Sequence, residues 1–448
     1  MNGTRRVAGL AMVAALCLIL GSAASAQDAG AGKQPYTIAE YNSYQACAAE
    51  KNPAPLVKCL DDFVSKYPSS NLLVYVYPLY YRANNQLKNY PKVMEYSDKL
   101  IALGGKAEAP VRYEALYARA LAYTTLAIKP TAPEAQEQAT KARDAAVAGL
   151  KAMNDLKKPG AMSAEDFTKQ KQQPTILFNY TAGNASMTLK DFSAAAGFFK
   201  AVLALDPDDA VTNYQLGLAY EGMTPPQTMD AYWSFARAVT AKRANQAQAK
   251  SVQSYLRRLI ASYQGGNVCD SLTDAELNEL LQLAKSSADR PASYTLPASA
   301  DLDAARKDMT IASVLTDLKA GGDKAKITWL AACGLEFPEV PAKVIEIIPG
   351  DTIEFKLAFV TSEAEFDAAT TANMDVKVAG QPDAARVEKD SALHFTGTLM
   401  SYDPDPAFMV YWDKAKVKDD DIPKEKEKTK GKKPAKKPVH HAPKKPGR

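Results

Sequence analysis

The sequence predicts a mainly α-helical chain in which helix pairs stack as a solenoid, followed by a small β-rich domain and a basic tail. Three observations carry that prediction. Gly183 and Gly217 stand 34 residues apart, and each opens the same order of small, aromatic and proline or alanine side chains, the mark of a repeat architecture. After Gly334 the apolar spacing changes from helical steps to short β-rich runs,. The last 25 residues hold 11 Lys or Arg, 2 Glu, repeated prolines and no aromatic residue, a composition unable to bury a core.

The first segment is a targeting signal by its pattern. Arg5 and Arg6 precede 14 apolar residues, 7–20, and Ala24-Ser25-Ala26 stands before Gln27. Residues 1–26 are therefore expected to be an export signal peptide cleaved after Ala26. The apolar run is shorter than the ~20 residues that cross a bilayer as a helix. Cys17 follows Leu16 rather than a small residue, a poor lipoprotein site. The expected address is periplasmic or secreted, in the envelope of a bacterium.

Residues 35–265 carry the repeats. Gly183 is followed by Ala195, Phe199 and Pro207; one period later Leu216, Gly217 and Tyr220 are followed by Ala231, Phe235 and Ala238, with Pro225-Pro226 added at the turn. A small residue suits the point where two helices approach most closely, an aromatic fills the space beside it, and a proline stops the second helix. Three looser copies lie upstream. One starts at Thr37, with Leu56, Leu60, Phe63 and Pro68, and one at Val74, with Tyr90, Val93 and Leu100. The third starts at Tyr113, with Ala120, Tyr123, Ala139 and Ala146.

These five copies resemble the tetratricopeptide repeat, a helix-turn-helix unit of 34 residues, over roughly half the chain; Tyr81 departs from the small residue expected in the second copy. The resemblance implies a groove, because positions 2, 5, 9 and 12 of each repeat share the concave face of its first helix. Position 5 is Tyr41, Tyr117, Tyr180 and Tyr214; the copy from Val74 offers Tyr75 and Arg82 at positions 2 and 9, and Asn184 occupies position 9 beside Tyr180. These seven residues are expected to meet a protein or peptide ligand, the competing role being packing between successive helices. Position 5 lacks lysine, which argues against the carboxylate-clamping mode of some relatives.

Cleavage at Ala26 leaves four cysteines, an even number in an oxidising compartment,. Cys47 and Cys59 flank the Asn52-Pro53 turn at nearly equal distances, as side chains facing across a helical hairpin would, and this leaves Cys269 for Cys333.

Residues 266–335 read as a helical extension that seals the end of the solenoid, with Thr273 as N-cap of a helix through Leu283 and a further helix over 301–320. Residues 336–416 read as a β domain with strands at 343–348, 352–360, 374–378, 393–400 and 408–412 and a helix over 363–369. These fit a small barrel of the OB type, with its helix one strand early, and fit an irregular β-sandwich as well. Residues 417–448 are expected to be a disordered Lys/Pro-rich tail. Residues 424–448 carry +9 and the signal +2 of the chain's +4, so residues 27–423 hold −7. Such a tail suits an anionic membrane surface or envelope polymer, or serves solubility; export disfavours nucleic acid.

No catalytic, cofactor or metal motif is present: no HExxH, GxSxG, Walker loop or post-strand GxGxxG,. Of three histidines, His440 and His441 lie in the tail, and His394 sits between Leu393 and Phe395 in a predicted strand, hence on the opposite, solvated face,. The expected function is a non-enzymatic envelope scaffold binding a protein or peptide through the repeat groove. The alternative is an envelope or outer-membrane assembly factor, suggested by Phe63-Val64-Ser65-Lys66-Tyr67-Pro68-Ser69-Ser70, which is similar to segments of exported repeat proteins with that role. A third reading, a hydrolase or transferase in the β domain, rests on His394, Asp403 and Asp405.

Overall fold

Helix starts follow the capping signals of the sequence. In the computed structural model, which describes residues 36–424, Thr37 opens α1 (Ile38–Ala48) with a capping box: Thr37 Oγ1 accepts from Glu40 N at 3.1 Å while the Glu40 carboxylate accepts from Thr37 N at 2.6 Å,. Proline occupies the first turn of α2 (Pro53–Lys66), where its missing N–H costs nothing,. Residues 1–26, expected to be a signal peptide, and the basic segment beyond Lys424 lie outside the described residues.

The chain divides into two compact units, one ending at Phe198 and the other beginning at Phe199. The first holds α1 and α2, then α3 (Leu73–Gln86), α4 (Tyr90–Ala102), α5 (Ala109–Leu126), α6 (Ala135–Asp155), α7 (Ala164–Thr188) and the start of α8 (Phe192–Leu205). From α1 to α7 each helix packs on its successor, and α3 and α5 also meet the helix two places on, the contact pattern of stacked helical hairpins. Leu60, Phe63, Val76, Tyr80, Val93, Leu100 and Ala115 form one buried cluster, and Tyr113, Ala120, Ala146 and Phe178 another. The close approach of α6 and α7 depends on Gly149, where a Cβ would stand 2.4 Å from the Phe178 ring.

The second unit continues with α9 (Ala210–Gly222), α10 (Thr228–Thr240), α11 (Gln246–Tyr263) and α12 (Asp270–Ser286). Pro207 lies just past the end of α8, and Asp209 caps α9 by accepting from Thr212 N at 2.9 Å,. Gly217 of α9 faces Phe235 of α10, the small-residue-to-aromatic contact that the 34-residue pattern implies. α12 packs on α10 and α11 and covers the last hairpin; Trp233 Nε1 donates to Ala288 O at 3.1 Å and Arg237 Nη1 to Ala284 O at 2.8 Å.

The rest of the helical extension differs from expectation. α12 begins at Asp270, so Thr273 is a buried residue inside it rather than its N-cap. The single helix expected over 301–320 is two, α13 (Ser299–Lys307) and α14 (Ile311–Ala320), because the Thr310 hydroxyl accepts from Ser313 N and restarts the helix. A further helix, α15 (Gly322–Ala332), precedes the first strand. Val314, Leu315, Leu318 and Trp329 from α14 and α15 join the core of the β domain, so these helices support the barrel and only α12 covers the last hairpin.

The β domain is a closed five-stranded barrel, not a sandwich. Its strands β1 (Glu336–Ile348), β2 (Thr352–Phe359), β3 (Met374–Ala379), β4 (Ala392–Asp403) and β5 (Met409–Val417) run in the order β1-β2-β3-β5-β4, and β4 closes on β1. Only β3 and β5 are parallel. β1 starts seven residues earlier than the sequence pattern predicts and bends at two register shifts, letting one strand pair with both β2 and β4,. The expected helix forms between β2 and β3 as α16 (Glu363–Ala368). Trp412 fills the barrel, edge-on to Phe337 and Phe395 with centroids 5.8 and 5.2 Å away. The tail does not begin at residue 417: Val417 and Ile422 are buried in the barrel core, so the domain extends through residue 422.

Candidate functional site

Both expected cysteine pairs stand at bonding distance, Cys47 with Cys59 and Cys269 with Cys333, with Cα atoms 5.5 and 5.9 Å apart. The first joins α1 to α2, and the second ties the start of α12 to the residue just after α15, each within one unit.

The sequence-predicted groove residues separate into groups. Tyr41, Tyr75 and Arg82 come together around Tyr44, one helical turn beyond Tyr41 on α1. Tyr41 is 41% exposed and stacks on Tyr36 at 5.7 Å; Tyr75, 51% exposed, lies 6.2 Å from the Tyr44 ring. Burial raises the Tyr44 phenol above its ordinary pKa, with Tyr75 and Tyr41 adding to the shift and Arg82 opposing it. Arg82 of α3 grips Glu114 of α5 with both arms of its guanidinium, Nε at 2.6 Å from Oε1 and Nη2 on Oε2, a paired geometry that holds its direction. The position count missed Tyr36 and Tyr44; the three-residue step from Tyr41 to Tyr44 was the available signal.

Tyr117 is half-buried and meets Phe178 edge-on at 6.1 Å, so part of its surface serves packing. Tyr180 and Asn184 are half-buried on α7. In the second unit, Tyr214 leans on Phe235 at 5.6 Å beside a polar pair the repeat pattern did not indicate: the Tyr255 hydroxyl donates to Glu221 Oε2 at 2.9 Å. Burial holds the Glu221 carboxyl above its ordinary value against the Tyr255 hydrogen bond, and burial followed by the contact with Glu221 pushes Tyr255 up to about 12. Tyr255 also meets Phe235 edge-on at 5.4 Å. A half-buried carboxylate framed by tyrosines can accept a hydrogen-bond donor or a cation.

In the β domain, alternation along β4 buries Leu393 and Phe395 and leaves His394 at the surface. Its backbone N and its Nδ1 lie 2.6 and 3.0 Å from Asp421 Oδ2. Asp403, nine residues further along the same strand, accepts from the Tyr411 hydroxyl at 2.7 Å. That spacing corresponds to ~30 Å of strand, so His394 does not meet Asp403. Asp405 is exposed. Among the described residues no group of three or more His, Cys, Asp or Glu could hold a metal ion, and no helix is long and apolar enough to cross a membrane. His440 and His441 lie outside the described residues.

No protein-family model matches the chain, and no curated protein matches it. Among solved structures it is similar to the TPR2AB-domain:pHSP90 complex of yeast Sti1, at 13% identity over 55% of this chain and 95% of that one, with a TM-score of 0.17. At that TM-score the likeness carries no argument about arrangement or partner.

Proposed function

We propose that this protein is an exported, non-enzymatic scaffold of tetratricopeptide type that holds a protein or peptide partner in the periplasm or envelope. The observation that carries this reading is the tyrosine surface of α1 and α3, where Tyr41 and Tyr75 keep large amphipathic rings in solvent beside the fixed Arg82–Glu114 pair. Tyrosine offers wide contact area with little rotamer freedom to lose. Tyr214, Tyr255 and Glu221 form a second candidate contact in the other unit. The strand order with a single parallel pair supports an OB-type reading of the barrel, and the lysine-rich segment adds a charge-driven contact with anionic lipid or polymer that should fade with salt.

The test is capture of partners from envelope extract by mature protein, comparing wild type with the Tyr41→Ala/Tyr75→Ala pair. Loss of a hot-spot ring at ~1–2 kcal/mol each should reduce a specific partner at least tenfold while circular dichroism stays unchanged. Equal capture by wild type, this pair and Tyr214→Ala would remove the surface from consideration. The assembly-factor reading keeps the same surface and differs in its consequence, a defect in outer-membrane assembly when the protein is depleted. The segment 63–70 lends it no separate weight, since Phe63 and Tyr67 pack on each other at 5.3 Å where α2 ends.

A further inference from the structure

A cavity of about 400 Å³ opens within the second unit, between α12, α15 and the end of β4, in the size range of small-ligand sites. Leu318, Trp329 and Leu330 supply apolar wall, and Trp329 is fixed edge-on against Tyr402 at 5.0 Å. Glu276 of α12 also lines it. Glu276 is only 4% exposed, and its carboxylate is half satisfied: Oε2 accepts from Gln264 Nε2 at 2.8 Å, whereas Oε1 has no hydrogen-bond partner. Gln264 Oε1 is a further acceptor without a donor, and the nearby Tyr294 hydroxyl, which can both donate and accept, is unpartnered too, so three unpartnered acceptors share a single donor,. Burying acceptors without donors is costly, which points to a missing donor rather than a missing acceptor.

The nearest cation does not fill that role. Lys326 lines the same cavity, but its Nζ stands 3.4 Å from Glu279 Oε2 at the rim, where both side chains are substantially exposed. Two carboxylates and one ammonium leave the lining with a net negative charge. Apolar and aromatic wall beside an under-satisfied buried carboxylate suits a ligand with an aliphatic stem and a multi-donor cationic end.

We propose that this cavity is a binding site for an alkylammonium group, the ammonium donating to Glu276 and the stem lying along Trp329, Leu318 and Leu330. Two sources share that chemistry: a small free amine, and a lysine side chain such as those that crowd residues 424–448 of this chain. The inference is independent of the tyrosine surface and stands or falls without it.

The test is calorimetric titration of the full chain with 1,5-diaminopentane, whose stem and ammonium reproduce a lysine side chain, and separately with a synthetic peptide of residues 425–448. Saturable diamine binding is expected, weakened at least tenfold by Glu276→Gln in protein whose circular dichroism and thermal midpoint match wild type. Lys326→Ala, on the exposed rim, should tighten binding several-fold by removing a like charge, a direction that a purely structural Glu276 would not produce. Peptide binding that competes with the diamine and shares the Glu276 dependence assigns the site to a lysine-rich segment; diamine binding alone assigns it to a small amine. Absence of saturable binding of either probe at millimolar concentration, or binding indifferent to Glu276→Gln, or binding unchanged or weakened by Lys326→Ala, overturns the proposal.

Discussion

Gly217→Ala isolates the contact on which the repeat period rests. A Cβ at this position would stand 2.5, 2.7 and 2.9 Å from three carbons of the Phe235 ring, whereas carbon atoms pack best at ~3.5–4.0 Å. The ring would have to retreat by about 1 Å. It has little room to do so, because Phe235 is fully buried and is bounded by Tyr214 and Tyr255. Overpacking of this kind costs ~1–3 kcal/mol, while alanine in place of glycine inside a helix recovers ~0.5–1 kcal/mol. The net loss should be about 1–2 kcal/mol. All three tryptophans, Trp233, Trp329 and Trp412, belong to the second unit, so tryptophan fluorescence in urea follows the unit that contains the substitution. With m of about 2 kcal/mol per molar, its midpoint should fall by ~0.5–1 M with an unchanged slope. Phe235→Leu, itself destabilising, should recover part of the loss when combined with Gly217→Ala, a coupling that distant sites would not show. A Gly217→Ala protein as stable as wild type would refute the reasoning, since it would mean that α9 and α10 do not approach as closely as this contact requires.

Reduction of the disulfides should destabilise each unit separately, by about 3 kcal/mol for the 12-residue separation of Cys47 and Cys59 and about 4 kcal/mol for the 64-residue separation of Cys269 and Cys333,; non-reducing peptide maps of protein purified without reductant check the pairing. Asp98→Ala should cost the first unit ~3 kcal/mol, because it strips the carboxylate 2.7 Å from Nε of the fully buried Arg119,; that unit has no tryptophan, so near-ultraviolet tyrosine signal in urea is the readout. Glu221, whose carboxyl burial holds above its ordinary value of 4.5, contributes stability that is full below pH 4.5 and is lost as pH climbs through the raised value. Glu221→Gln should therefore flatten the stability of the second unit across that window, as measured by urea midpoints at a series of pH values.

Much of this protein was legible in one dimension because the signals are local. The 34-residue period and Pro207 place the helix pairs, since helix starts and stops depend on a few adjacent residues,. Equal spacing about Asn52-Pro53 placed Cys47 opposite Cys59, and alternation around His394 oriented β4. Two failures were local and the rest were not. Thr273 reads as a cap but lies inside α12, and Thr310 restarts a helix that apolar spacing alone would run from 301 to 320. Residues 417–422 look like tail until Val417 and Ile422 are seen packed into the barrel. The equivalence of the tyrosines also dissolves: Tyr41 and Tyr75 are left in solvent, whereas Tyr117 and Tyr214 lean on phenylalanines supplied by other helices. Strand order, with β5 inserted between β3 and β4, and the convergence of Glu276, Trp329 and Tyr402 on one cavity join residues as many as 126 positions apart. The helix pairs, the cysteine pairing and the alternation of β4 follow from the order of neighbouring residues, whereas burial, strand order and the cavity arise only when distant segments pack, because hydrogen bonding within a turn of helix is set by neighbours while the surface lost to solvent depends on the whole fold.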